Sequence, residues 1–174
     1  MKRIFLSCCF FLCLFRVVAQ DHFPQSFVGN WKGTLDWFEA GKKEPKKIAM
    51  RLRVFSTDTA GIYSWQIQYG EEGKDNRPYL LKPVDTLKGH WRVDEGNGIL
   101  LDNYWLGNRL SVAFTVMNST IFNTYRLEGD SLLVEFHSLT SKPVATSGLG
   151  TEGSPQVNSY GTKFYQRAVL RRVK

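Results

Sequence analysis

Cysteine is missing from the chain after residue 13, where the last of Cys8, Cys9 and Cys13 stands. If the leading segment is removed, neither a disulfide framework nor thiol chemistry remains. Histidine is nearly as scarce, with His22, His90 and His137. A protein metal site commonly takes three or four ligands and no ligand-spacing motif is present, so no metal or other cofactor is expected. A G-x-S-x-G elbow, a phosphate-cradling glycine loop ahead of a helix and a defensible Ser–His–Asp spacing are all lacking. No catalytic residue is therefore advertised. Beyond residue 20 there is no sustained amphipathic helical pattern, which leaves strands as the building material.

What is present begins with "MKRIFLSCCFFLCLFRVVAQ". Lys2 and Arg3 precede an apolar run from Ile4 to Phe15, and Val17, Val18 and Ala19 offer a small-residue cleavage site. This pattern predicts a signal peptide over 1–19 and an exported domain over 20–174, periplasmic or extracellular. The run falls short of the about 20 residues a membrane span needs and ends at Arg16, so no stable membrane insertion is expected after cleavage. An uncleaved anchor and acylation at Cys8 are the alternatives.

Loss of Lys2, Arg3 and Arg16, with no acidic residue in the same segment, takes the formal charge from +7 to +4. The other cations are scattered apart from "GKKEPKK" (41–47) and "LRR" near the C-terminus. Nucleic-acid binding wants a sustained basic face with stacking aromatics, and none is expected here. A domain of this size buries roughly 68–70% of the surface its unfolded chain exposes, enough for a core without crosslinks.

Runs rich in Val, Ile, Phe, Tyr, Trp and Thr recur every ten or so residues. They predict strands at 31–39, 47–55, 61–69, 78–84, 87–94, 98–105, 109–117, 120–128, 131–139 and 162–172. The clusters "GKKEP", "TDTAG", "EEGKDNRP", "EGNG", "LGN", "NST" and "EGD" between them are turn-forming, and most are tight enough to make neighbours antiparallel. Ten such strands would leave two long edges unless the sheet closed, so the expected fold is all-β, a closed up-and-down antiparallel barrel.

Alternation separates the faces. Ile48, Met50, Leu52 and Val54 share one side of their strand, and Tyr63, Trp65, Ile67 and Tyr69 one side of the next. In "SLLVEFHSL" the pattern is mixed, with Leu132, Val134 and Phe136 on one face and Leu133, Glu135, His137 and Leu139 on the other. Either another element covers that face or polar groups point inward. The connection over 140–161 is rich in Gly, Ser, Thr and Pro and far longer than the others. Connections beyond about 12–15 residues are functional lids or disordered segments.

The stretch "FVGNWKGTLDWF" (27–38) sets Trp31 between Gly29 and Gly33 inside a strand. Glycine weakens a strand interior and marks a bend or a close approach, so Trp31 is expected to cap the closed end of the barrel. This G-x-W-x-G-T pattern, followed by antiparallel strands and ending in "AVLRRVK", resembles the lipocalin-like (calycin) superfamily of small-molecule-binding barrels. The resemblance implies that an arginine of the last strand, Arg171 or Arg172, lies across Trp31. Ten strands look more like the fatty-acid-binding-protein-like or nitrobindin-like branches. However, "AGKKEPKK" is too short for the helical lid of the first, and no histidine follows His137 to match the haem ligand of the second.

Met50, Leu52, Tyr63, Trp65, Ile67, Tyr69, Phe114, Tyr125 and Phe136 are the candidates to line the interior. Asn123 and Tyr125, on one face with Ile121, are candidates to orient a ligand. Arg77, near Tyr79, either meets an anionic headgroup at the mouth or makes a surface salt bridge. Glu135 and His137 share a face and are expected in solvent; catalysis would require both to face the cavity. Asn118 in "NST" fits a glycosylation acceptor on a turn. The expected function is reversible, non-catalytic binding of a small apolar or amphipathic molecule in the barrel. The alternative is a filled barrel that contacts a protein partner through 140–161.

Overall fold

In the computed structural model the structure describes residues 23–71 and 74–173. The predicted leader 1–19 and His22 lie outside the described residues. Ten of the twelve strands among the described residues close into one antiparallel barrel. They are β1 (Gly29–Glu39), β2 (Lys46–Ser56), β3 (Tyr63–Tyr69), β4 (Asp75–Asp85), β5 (His90–Asp94), β6 (Leu100–Leu106), β7 (Arg109–Val116), β8 (Ser119–Glu128), β9 (Ser131–Thr140) and β12 (Thr162–Val173). Each of β1 to β8 pairs with its successor, and β12 closes the ring between β9 and β1.

The remaining two strands, β10 (Ala145–Ser147) and β11 (Val157–Ser159), pair with each other inside the long connection. The 140–161 segment is thus a hairpin arm rather than a structureless loop. Turn chemistry explains it: Gly148 has φ +89°, and the Ser154 hydroxyl accepts from the Leu149 amide at 3.2 Å. A second correction concerns 87–94. Thr86–Lys88 form a 3₁₀ turn whose first cap is Asp85, with the Asp85 carboxylate accepting from the Lys88 amide. The strand therefore starts at His90 rather than at Leu87, which stands 99% exposed.

The interior is filled at the end where Trp31 sits. Trp31 is 1% exposed, its Nε1–H donates to the Phe27 carbonyl at 2.8 Å, and the Arg172 guanidinium lies 4.3 Å above its ring. Arg172 also donates to the backbone carbonyls of Val28 and, at 3.0 Å, Ser26. Its neighbour Arg171 pairs in register with Lys32 and points to solvent. Alternation decides between the two arginines, because only one of two adjacent strand residues can turn toward the closed end.

Both glycines around Trp31 are required by close approach. Gly29 has φ +142°, and a Cβ there would stand 2.9 Å from Arg172 Nη1. A Cβ on Gly33 would meet the Val169 carbonyl oxygen at 2.5 Å, inside van der Waals contact. Gly33→Ala is expected to force β1 and β12 apart at their seam and lower unfolding free energy by about 1–3 kcal/mol. Urea unfolding of the variant checks this, and an unchanged midpoint would contradict the seam geometry.

The segment ahead of β1 is part of the core. Pro24 precedes a short 3₁₀ turn, Gln25–Phe27, which drives Phe27 into the barrel at 0% exposure. Phe23 stacks on Trp105 at 4.6 Å and meets the edges of Phe27 and Trp91 at 5.2 Å. This aromatic plug seals the closed end beneath Trp65, which is 6.2 Å from Phe27 between ring centroids.

Candidate functional site

The other half of the interior is hollow. A cavity of about 290 Å³ lies there, at the lower end of the roughly 300–1,000 Å³ common for small-molecule sites. Its wall follows the period of two: successive inward positions along each strand reach it, from Trp65, Ile67 and Tyr69 on β3 to Asn123 and Tyr125 on β8. Phe114 on β7 and Phe136 on β9 complete the expected residues that line it. Their rings are packed against one another, Trp65 on Tyr125 at 5.1 Å and Tyr125 on Phe136 at 5.8 Å, both edge-on.

Met50, Leu52 and Tyr63 do not line the cavity. Met50 and Leu52 are fully buried, and Tyr63 is 7% exposed, but all three belong to the filled half. The register gives the reason: Leu52 lies opposite Trp31, and Met50 lies opposite Gly33. Tyr63 faces the plug, where its hydroxyl accepts from Gln25 Nε2 at 3.0 Å. Alternation along a strand assigns a face and carries no information on depth along the barrel axis.

Several lining residues were not among the candidates. Leu35 and Trp37 continue the inward face of β1 beyond Trp31, and Phe164 and Gln166 precede Ala168 and Leu170 on the inward face of β12. The same alternation was present in both strands and would have found them. Trp37 packs against Phe164 at 5.0 Å across the rim. Asn103, Asn123 and Gln166 are the amides of the wall. Asn103 donates its Nδ2–H to the Leu101 carbonyl at 2.8 Å, whereas Asn123 Oδ1 has no hydrogen-bond partner.

The ionisable part of the lining is at the start of β4 and the end of β5. Arg77 forks onto Asp75, Nε to Oδ1 and Nη2 to Oδ2, each at 2.9 Å, and its Cζ lies 4.9 Å from the Tyr69 ring centre. Of the two roles open to Arg77, the salt bridge is the one in place, and it sits at the cavity wall. The hydrogen bond from Arg77 holds the Asp75 carboxyl below the usual carboxylate range, and the same bond raises Arg77. The pair therefore stays ionised through neutral pH. Burial raises the Tyr69 and Tyr125 hydroxyls, and burial followed by the Glu95 charge raises Tyr79. All three phenols remain neutral hydrogen-bonding groups.

Glu135 and His137 lie on the outer face of β9. The Tyr165 hydroxyl donates to Glu135 Oε1 at 2.6 Å, and burial together with that carboxylate pushes the phenol up to about 12. His137 is exposed and packs on the Tyr165 ring at 4.8 Å. Neither reaches the cavity. His90 is likewise directed away from the cavity, bonded to Asp102 at 2.9 Å and stacked on Tyr104 at 4.7 Å. Asn118 stands in the β7–β8 turn, where its carbonyl and side-chain oxygens accept from Lys163 Nζ at 2.8 and 3.2 Å. The β10–β11 arm leaves from the rim and contributes no side chain to the cavity wall.

No protein-family model matches the chain. No curated protein matches it by sequence. Among solved structures, one similar in fold is the crystal structure of a protein of unknown function from the DUF3598 family of Nostoc punctiforme. The likeness has a TM-score of 0.61 at 11% identity and covers 86% of this chain and 48% of that one. This chain therefore spans about half of that protein's length, and the shared property is the barrel fold.

Proposed function

We propose that the protein is an exported, lipocalin-like carrier that binds a small, largely apolar molecule reversibly inside its barrel, without catalysis. The observation that carries this reading is the cavity of about 290 Å³ with walls of Trp, Tyr and Phe and a few amides. Such lining offers large apolar area with a small number of orienting polar groups. The lipocalin-like assignment is supported by the tryptophan between two glycines under an arginine of the last strand, in a closed antiparallel barrel. Export rests on the leader pattern of residues 1–19.

A test is uptake of a neutral naphthylamine dye, read by its fluorescence on transfer to an apolar site. Val112 is 5% exposed and lines the cavity, so Val112→Trp places an indole in the space a ligand would occupy. The parent is expected to take up the dye, and Val112→Trp to lose uptake at least tenfold while melting within a few degrees of the parent. Equal uptake by both would place the dye elsewhere and defeat the reading.

A second reading is favoured by the β10–β11 arm. Val144, Leu149, Val157 and Tyr160 are all exposed there, Leu149 at 84%, which suits contact with another protein. Removing the arm would abolish such contact and leave dye uptake intact.

A further inference from the structure

The chain as a whole is strongly basic, with a formal charge of +7, yet its cavity carries the opposite balance. Three ionised side chains line it: Asp75, Arg77 and Glu95. Arg77 is already engaged, its fork closed on both oxygens of Asp75 and its Cζ over the Tyr69 ring. Glu95 has no ion-pair partner among the described residues. The lining therefore has one uncompensated negative charge, placed where the strand β5 ends at the open side of the barrel.

We infer that this cavity selects organic cations, small amines or ammonium compounds with an apolar body, whose charged end sits at the mouth beside Glu95. The inference rests on the interior being a binding site and names what that site prefers. An anion would have to take Arg77 from Asp75 or add a second negative charge near Glu95, and both disfavour it. A neutral molecule would strip water from Glu95 and return at most a neutral hydrogen bond, with no charge to compensate it. A cation compensates the carboxylate, and the rings of Tyr79 and Trp37 in the same wall attract positive charge through their quadrupoles. The fully buried polar atoms of the wall that lack a partner, Asn123 Oδ1 and Trp37 Nε1, are one acceptor and one donor, and so leave the choice of sign to the charges.

Displacement of the naphthylamine dye from the full chain by three molecules of one shape tests this. They are 2-phenylethylammonium, 2-phenylethanol and phenylacetate, compared at neutral pH and low salt. The cation is expected to bind about tenfold more tightly than the alcohol, with phenylacetate weakest, and salt should narrow the gap. In Glu95→Gln the ratio of cation to alcohol affinity should fall to about one. Asp36→Asn removes the same charge from the outer face, where Asp36 pairs with Lys47, and should keep the ratio. A parent that binds the alcohol as well as the cation, or a ratio that survives Glu95→Gln, overturns the selectivity and leaves the carrier reading standing. Absence of dye uptake by the parent overturns the carrier reading, and the selectivity with it.

Discussion

Trp31→Ala is expected to lower the free energy of unfolding by about 3–5 kcal/mol, the range for removing a buried tryptophan side chain. Three separate losses contribute. The indole is 1% exposed, and its removal leaves a void next to Leu52, which faces it across the β1–β2 ladder. The Phe27 carbonyl loses the Nε1–H donor that reaches it at 2.8 Å, and an unpaired buried acceptor costs about 1–3 kcal/mol. The Arg172 guanidinium loses the ring 4.3 Å beneath it. Trp31→Phe separates these effects, since a phenyl ring retains much of the packing and the cation–π face but has no donor. Urea unfolding of both variants should place Trp31→Phe between parent and Trp31→Ala. Parent-like stability of Trp31→Ala would mean that the closed end is held by something other than this residue.

Phe27→Ala is expected to cost a similar amount, about 3–5 kcal/mol, although Phe27 belongs to none of the strands. It is fully buried and touches Phe23 at 5.2 Å, Trp105 at 5.8 Å and Trp65 at 6.2 Å between ring centroids. Aromatic contacts of this kind add about 0.5–1.5 kcal/mol each beyond area burial. The Phe27 backbone carbonyl still accepts from Trp31 in the variant, so the loss reports side-chain packing alone. A further consequence follows from the position of the plug. With Phe27 truncated, the void opens beneath Trp65, whose other side faces the cavity, so the tryptophan emission should shift to longer wavelength together with the fall in stability. A variant with parent-like stability and emission would show that the residues before β1 lie outside the core in solution.

The two residues differ in how visible they are in the sequence. Trp31 announces itself by the glycines on either side, and the close approach they permit is a local matter of backbone geometry. Phe27 lies in "DHFPQSFV", which has neither the period of a strand nor that of a helix, so nothing in its pattern marks it as interior. Its burial comes from a 3₁₀ turn that folds the chain under the barrel, and from three aromatic partners between 4 and 78 residues distant in sequence.

The cavity shows the same division. Trp65, Ile67, Tyr69, Phe114, Asn123, Tyr125 and Phe136 line it, and each lies on a face that alternation identifies. Met50 and Leu52 lie on an equally apolar face and are packed solid. Nothing in "KIAMRLRVF" distinguishes Ile48, at the cavity, from Leu52, beneath it, because the difference is one of height along the barrel. Height depends on which residues of β1 stand opposite, and so on the register of a closed sheet. Glu95 was legible only as part of a hairpin turn, and its place at the mouth follows from the strand β5, which ends just before it at Asp94.

Local interactions of the backbone and the period of side chains along a strand were enough to determine the ten barrel strands to within a few residues, their antiparallel order and the need for the sheet to close. Strand alternation and turn residues act over two to five positions, and such information survives in a linear string. The tertiary structure alone decided that Arg172 rather than Arg171 covers Trp31, that an aperiodic segment fills one end, that the other end is hollow and that its charge balance is negative. Each of these depends on groups brought together by closure, as Arg172 and Val28 are across 144 positions of chain. Whether such groups meet is set by the register and curvature of the whole sheet, which no short stretch of sequence contains.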